Sequence, residues 1–322
     1  MAGEGDKLPS IEMGKLQTPV CDLLGIQLPI FQAGMSTYTT PDLVAAVSNA
    51  GGLGIIGGLF RDADELHEEI LKIRQLTSRP FGVNHVVSQL DPDAIDVTLE
   101  LRVPVLSLAW GKADEIVRRA HDAGMKVIHQ VNTPEEAGRA ASAGADVIVA
   151  QGAEGGGHVG AMSTLPLVPQ VIDVVNGVPV LAAGGIADGR GLAAVLMLGA
   201  QGALIGTRFL ATPEASGRGH SKDVILNALG SQTVASKFFD DVLGLRWPGA
   251  LVRSIRNPLL DRWAQRQQDW ALAAEQIRPS LEAALAAGDF VIAGESAGLI
   301  HDIVPAGELV ARIAREAEAL LG

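Results

Sequence analysis

Past its first residues, the chain alternates between short apolar runs and amphipathic, alanine-rich stretches. Eight such runs recur: "LPIFQAG" (28–34), "GLGIIGG" (52–58), "FGVNHVV" (81–87), "VPVLSLAW" (103–110), "KVIHQV" (126–131), "DVIVAQG" (146–152), "PVLAAGG" (179–185) and "GALIGTRF" (202–209). Most are continuously apolar, as parallel strands covered on both faces must be. The stretches between them read as helices. "TPDLVAAVSNAG" opens on a Thr cap and stops at Gly51. "DADELHEEILKIRQL" and "DEIVRRAHDAG" follow the same logic, and "GRGLAAVLMLGA" links the last two runs. In "TPEEAGRAASAG", Thr133 caps, Pro134 takes the first helical position, and Glu135 and Glu136 sit at the positive end of the helix dipole. This pattern predicts an α/β fold, a (β/α)8 TIM barrel in preference to a doubly wound sheet.

The alternation stops after Phe209. Residues 211–289 are polar and irregular, carry three of the four tryptophans, and predict a helical insertion capping the barrel mouth after strand eight. Residues 290–322 return to an amphipathic helix expected to complete the outer ring. The barrel is assigned to 18–210, and 1–17 to a loose leader without signal-peptide character. The last helix and the tryptophan-rich insertion are two candidate interfaces for a homodimer.

Composition narrows the function. The formal net charge is −12, from 25 Lys and Arg against 37 Asp and Glu, so nucleic acid is not an expected partner. No apolar stretch is long enough to span a membrane, and a cytoplasmic location is expected. The lone cysteine, Cys21, rules out an internal disulfide and a Cys-rich metal site, and no metal is expected.

A barrel places its chemistry at the C-terminal ends of its strands. The seventh and eighth strands end in Ala183-Gly184-Gly185 and Gly206-Thr207. Glycines there let backbone N–H groups approach a ligand, and these two loops form the usual phosphate site of the fold. The pattern fits a flavin phosphate or a sugar phosphate equally; no G-x-G-x-x-G follows the first strand, which disfavours a Rossmann dinucleotide site. "QAGMS" by itself reads as an ordinary turn. Asn84, closing the third strand, offers a donor and an acceptor to the edge of a planar ring. His85 and His129 read as buried structural histidines. The sixth strand ends at Gln151 and runs into "AEGGGHVG", where glycines carry His158 over the mouth. Histidine is the natural proton-transfer group near neutrality. Glu154 in that loop reads as solvated.

These residues resemble a known family. "QGAEGGGHVG" and "LAAGGIADGRGLAAVLMLGAQGALIGTRFLAT" are similar to motifs of the nitronate monooxygenases, also called 2-nitropropane dioxygenases, and "FGVN" and "RSIRNP" match as well. The resemblance runs from "LPIFQAGMS" to "AGESAGLI". It implies an FMN-dependent oxidoreductase in which His158 transfers the proton. Ala33, Gly34, Met35, Asn84 and Gln151 would touch the ring or ribityl chain of FMN, and Gly156 and Gly157 would pack near it. Ala183, Gly184, Gly185, Gly206 and Thr207 would surround the phosphate. Gln130 is assigned to the same flavin site, although some members carry a lysine there. Val159 replaces the Arg or Pro of many members, and "VGAMSTLPLVPQ" is shorter than in many relatives; these departures bear on substrate choice.

The reaction the resemblance implies is oxidation of alkyl nitronates or nitroalkanes by O2 to a carbonyl compound and nitrite. The FMN-dependent enoyl-ACP reductases are similar too, which gives an alternative: NAD(P)H-dependent reduction of an enoyl thioester. A non-redox barrel binding a phosphate ligand is a third reading. Chemistry of the inosine-monophosphate-dehydrogenase kind fits poorly, because Cys21 precedes the first strand.

Overall fold

The computed structural model describes residues 16–322. Eight parallel strands close into a barrel in the order β1 (Ile30–Gln32), β2 (Leu53–Gly57), β3 (Phe81–Val86), β4 (Val105–Ala109), β5 (Lys126–Val131), β6 (Val147–Gln151), β8 (Val180–Ala183) and β9 (Ala203–Ile205). Each falls within one of the eight apolar runs. The helices between them start as their sequences require: Thr40, Asp62, Asp91, Thr133 and Asp188 each cap a helix by accepting a backbone N–H in its first turn. Such a cap contributes about 1 kcal/mol.

Register decides which side chains fill the barrel. Residues paired across neighbouring strands share a face, and one face reads Phe31–Leu53, Ile55–Gly82–Val105, Asn84–Ser107–Ile128–Val147, Ala109–Gln130–Val149–Leu181 and Gln151–Ala183–Leu204–Phe31. The large apolar members of this set, Phe31, Ile55, Ile128, Val149 and Leu181 among them, form one buried cluster, the barrel interior. Helix Pro19–Leu24 adds Val20, Cys21 and Leu24 to it and closes the N-terminal end. Asn84, Gln130, Gln151 and Ala183 therefore point inward at the opposite, C-terminal mouth. The alternate residues, such as Ile56, Val83, Leu106 and Ile148, face out and pack on the helices.

The segment after β9 is more than helical. It contains β10 (Thr233–Ser236) and β11 (Leu251–Ile255), which pair antiparallel. β11 also pairs with β7 (Gly157–Val159), a short strand inside the loop after β6, so a three-stranded sheet ties the insertion to the barrel mouth. Strands this short carry too little periodicity to be told from loop. A second aromatic core, built on Phe238, Trp263, Trp270 and Phe290, holds the insertion together. Helix Ala306–Leu321 packs between helices Gly189–Met197 and Pro41–Asn49, the last and first of the ring. Buried Arg208 donates to Asp302, which also pairs with Arg312 on this helix. Of the expected leader, residues 1–15 lie outside the described residues, and Leu16 is buried in the main core.

Candidate functional site

The loop after β6 is held rigidly. Glu154, expected to be solvated, instead accepts from the backbone N–H and hydroxyl of Thr164, at 2.9 and 3.0 Å. Its carboxylate is drawn there because it caps the first turn of helix Thr164–Val174. Nε of Arg253 on β11 donates to the carbonyl of Ala153 at 2.8 Å. Gly156 packs so tightly on Ala293 and Gly294 that a Cβ would fall 2.7 Å from the Gly294 nitrogen.

Pairing of β7 with β11 sets His158 opposite Val252. Its imidazole lies flat on Trp247, ring centroids 3.5 Å apart and planes 14° from parallel. Trp247 in turn meets Trp110 edge-on at 6.0 Å. Nε2 of His158 is 2.9 Å from Oδ1 and 3.2 Å from Oδ2 of Asp240, on helix Phe238–Leu243. Asp240 is 4% exposed, a buried carboxylate that needs a donor. Trp110, Trp247, Val86 and Leu59 make the wall beside the histidine apolar.

Polar groups converge from the other strand ends. Nδ2 of Asn84 donates to Ser107 Oγ at 3.1 Å. Gln130 and Asn132 both donate to Oε1 of Gln151, each at 3.0 Å, and the Gln151 amide nitrogen, beside the glycine loop, has no acceptor among the described residues. Gly34 abuts Asn84: a Cβ there would lie 2.6 Å from the Asn84 Cβ. Ala33 donates its N–H to the Ile205 carbonyl, next to Gly206 and Met35. Gly184 and Gly185 hold φ of +101° and +75°, so backbone rather than side chain faces the mouth at the end of β8. Thr207 accepts the Gly294 N–H at 2.9 Å and keeps its hydroxyl proton to give. The fold thus gathers the singled-out residues at one end of the barrel.

His85 and His129 lie on the outward face instead. Burial pushes both imidazoles down to about 4. His85 Nε2 is 2.8 Å from the Thr98 hydroxyl, which itself donates to the Ala94 carbonyl, so His85 is the donor. His129 Nδ1 has no partner among the described residues.

Sequence inspection misses Asp240, Trp247, Asn132 and Ser107. The first two lie in the irregular insertion, where nothing in "KFFDDVLG" or "LRWPG" marks a site. Asn132 directly follows one run read as a strand and Ser107 lies within another, so both were legible in principle.

A closed barrel with inward amides, a glycine-lined pair of loops and a histidine–carboxylate pair over its mouth defines an enzyme of the TIM-barrel class. The sequence profile of the nitronate monooxygenases matches residues 17–95 and 91–316, and the chain belongs to that family of oxidoreductases. FabK from Thermotoga maritima is 38% identical and superposes with a TM-score of 0.85, over 95% of this chain and 97% of that one. Nitroalkane oxidase from Streptomyces ansochromogenes is 31% identical, with a TM-score of 0.81 over 94% and 98%. A (3aS,4S,5R,7aS)-5-hydroxy-7a-methyl-1-oxo-octahydro-1H-indene-4-carboxyl-CoA dehydrogenase of Rhodococcus jostii is 43% identical over 63% of this chain, a match spanning 58% of that relative's length. No helix among the described residues is long and apolar enough to cross a membrane.

Proposed function

We propose that the chain is an FMN-dependent oxidoreductase that oxidises alkyl nitronates and nitroalkanes with O2, His158 moving the substrate proton. The observation that carries this reading is the His158–Asp240 pair beside an apolar wall at the barrel mouth. In the overall change, two nitroalkanes and one O2 give two carbonyl compounds and two nitrous acids. At each substrate carbon a C–N bond breaks and a C=O bond forms, while O2 is reduced. FMN, when bound, supplies the ring that passes electrons from substrate to O2.

The residues present fit that cofactor. Asn84, Gln130 and Gln151 present amide edges on the barrel's inner face, suited to a planar heterocycle. At Gly206 a Cβ would find no atom closer than Met35 Sδ at 3.6 Å, leaving a small open cradle beside the N–H groups of Gly206 and Thr207. Ala33, Gly34, Met35, Ala183, Gly184, Gly185, Gly156 and Gly157 would line the remainder.

His158 takes the proton from the carbon bearing the nitro group, and Asp240 stabilises the imidazolium that forms. The Gln151 amide nitrogen is a donor available to developing negative charge. The wall of Trp110, Trp247 and Leu59 excludes water from the carbon being deprotonated and suits an alkyl chain.

A second reading is an NAD(P)H-dependent enoyl-thioester reductase using the same FMN, with His158 giving a proton instead of taking one. The likeness to FabK and the carboxyl-CoA named for the Rhodococcus relative favour it. Anaerobic mixing separates the two: bleaching of the bound flavin by an alkyl nitronate supports the first, and rapid bleaching by NADH or NADPH supports the second.

A further inference from the structure

We infer that Nδ1 of His158 is the atom through which the proton enters and leaves, and that Asp240 is the positioning residue that makes it so. This deepens the reading above and rests on it for the identity of the proton's donor.

An ionised carboxylate only accepts hydrogen bonds. Both oxygens of Asp240 face Nε2 of His158, at 2.9 and 3.2 Å, and no other side chain among the described residues donates to them. Leaving this buried carboxylate without a donor is costly, so Nε2 carries a proton. In neutral imidazole only one nitrogen does, and the lone pair must then sit on Nδ1.

Nδ1 is also the free nitrogen. It has no hydrogen-bond partner among the described residues. It is not among the buried, unpaired side-chain atoms there, which are His129 Nδ1, Gln201 Oε1 and Trp247 Nε1. An unpaired atom outside that set is not sealed in the interior.

The ring cannot easily turn over, a motion that would put Cε1 in place of Nε2 against Asp240. Trp247 covers one of its faces at 3.5 Å, and Trp247 is itself braced by Trp110. The charged groups on the elements packed around His158 are Lys237, Asp240 and Asp241 at helix Phe238–Leu243, Arg246 beside Trp247, and Arg253 on β11, which pairs with Glu295. Only Asp240 among these reaches the imidazole. Both groups that fix the histidine, Asp240 and Trp247, thus come from the insertion, while the histidine comes from the loop after β6. The proton-moving centre is assembled from two separate parts of the chain.

The test is nitrogen-15 NMR of the flavin-loaded protein labelled at histidine, with the His158 signals assigned by their loss in His158→Gln. The expected spectrum of neutral His158 shows Nε2 proton-bearing and Nδ1 with a free lone pair. The Asp240→Leu protein offers Nε2 no acceptor, so the preference for that tautomer is lost. Its kcat on a neutral nitroalkane falls on the order of 10²-fold, within the usual range for general acid–base catalysis. A proton on Nδ1 in the unsubstituted enzyme overturns the inference. So does a folded, flavin-loaded Asp240→Leu protein with an unchanged tautomer. The tautomer is read without substrate, so a protein that shows the expected spectrum but turns over no nitro compound defeats the proposed function and leaves this assignment standing.

Discussion

Nε2 of His158 and Oδ1 of Asp240 lie 2.9 Å apart although 82 positions separate the two residues in the chain. The contact exists because β7, inside the loop after β6, pairs with β11 of the insertion. The insertion therefore does more than cover the barrel: it holds the carboxylate that pairs with His158.

Replacing His158 with Ala is expected to leave FMN bound, because most of the amides and glycines proposed to hold the flavin lie on other strand ends. Turnover of neutral nitroalkanes should fall by about 10²–10⁴-fold. An anionic nitronate, which has already lost its proton, should lose less. Steady-state oxygen uptake with both substrate forms checks this; equal rates on the neutral substrate would remove His158 from the mechanism.

Gly206 and Gly184 should respond differently to alanine. At Gly206 φ is −106° and a Cβ meets nothing closer than 3.6 Å, so the fold should tolerate it within about 0.5 kcal/mol. The methyl would still enter the proposed phosphate cradle, weakening FMN by about tenfold or more. At Gly184 φ is +101° and a Cβ would lie 2.9 Å from the Gly152 carbonyl and the Thr164 hydroxyl, so alanine should destabilise the protein itself. Denaturant unfolding and flavin titration separate the two effects. Unchanged FMN affinity in Gly206→Ala would place the phosphate elsewhere.

Acid should weaken the fold through His85 and His129. Burial lowers both to about 4, below the value near 6.5 in an unfolded chain. The unfolded chain then binds more protons between these limits. Stability is fully present above pH ~6.5 and is lost as pH falls toward ~4, at about 3 kcal/mol per imidazole. Urea unfolding across that range should show the decline, and a double His85→Gln, His129→Gln protein should show a flatter one. An equal slope in both proteins would assign the acid sensitivity to other groups.

The barrel was legible because most of its strands are covered on both faces and so read as nearly continuous apolar runs, as in "DVIVAQG" or "PVLAAGG". The candidate site was legible as far as strand ends allow: Asn84, Gln130 and Gln151 lie at or near the ends of such runs, and register turns all three inward. Asp240 and Trp247 were not. They meet His158 only through the pairing of β7 with β11, and β7 is three residues, Gly157–Val159, in a loop rich in glycine. Glu154 was misread for a related reason. Its partner Thr164 lies ten positions further on, beyond the short strand β7, so no local pattern announces a cap.

The central claim is that this barrel oxidises nitro compounds through a flavin without help from a nicotinamide. The most direct measurement is the visible absorbance of the flavin-loaded enzyme, mixed anaerobically with an alkyl nitronate in one syringe and with NADPH or NADH in another. The account predicts bleaching by the nitronate alone, followed on admission of air by recovery of the oxidised spectrum and release of nitrite. Rapid bleaching by NADPH or NADH with none by the nitronate would contradict it and establish the reductase reading.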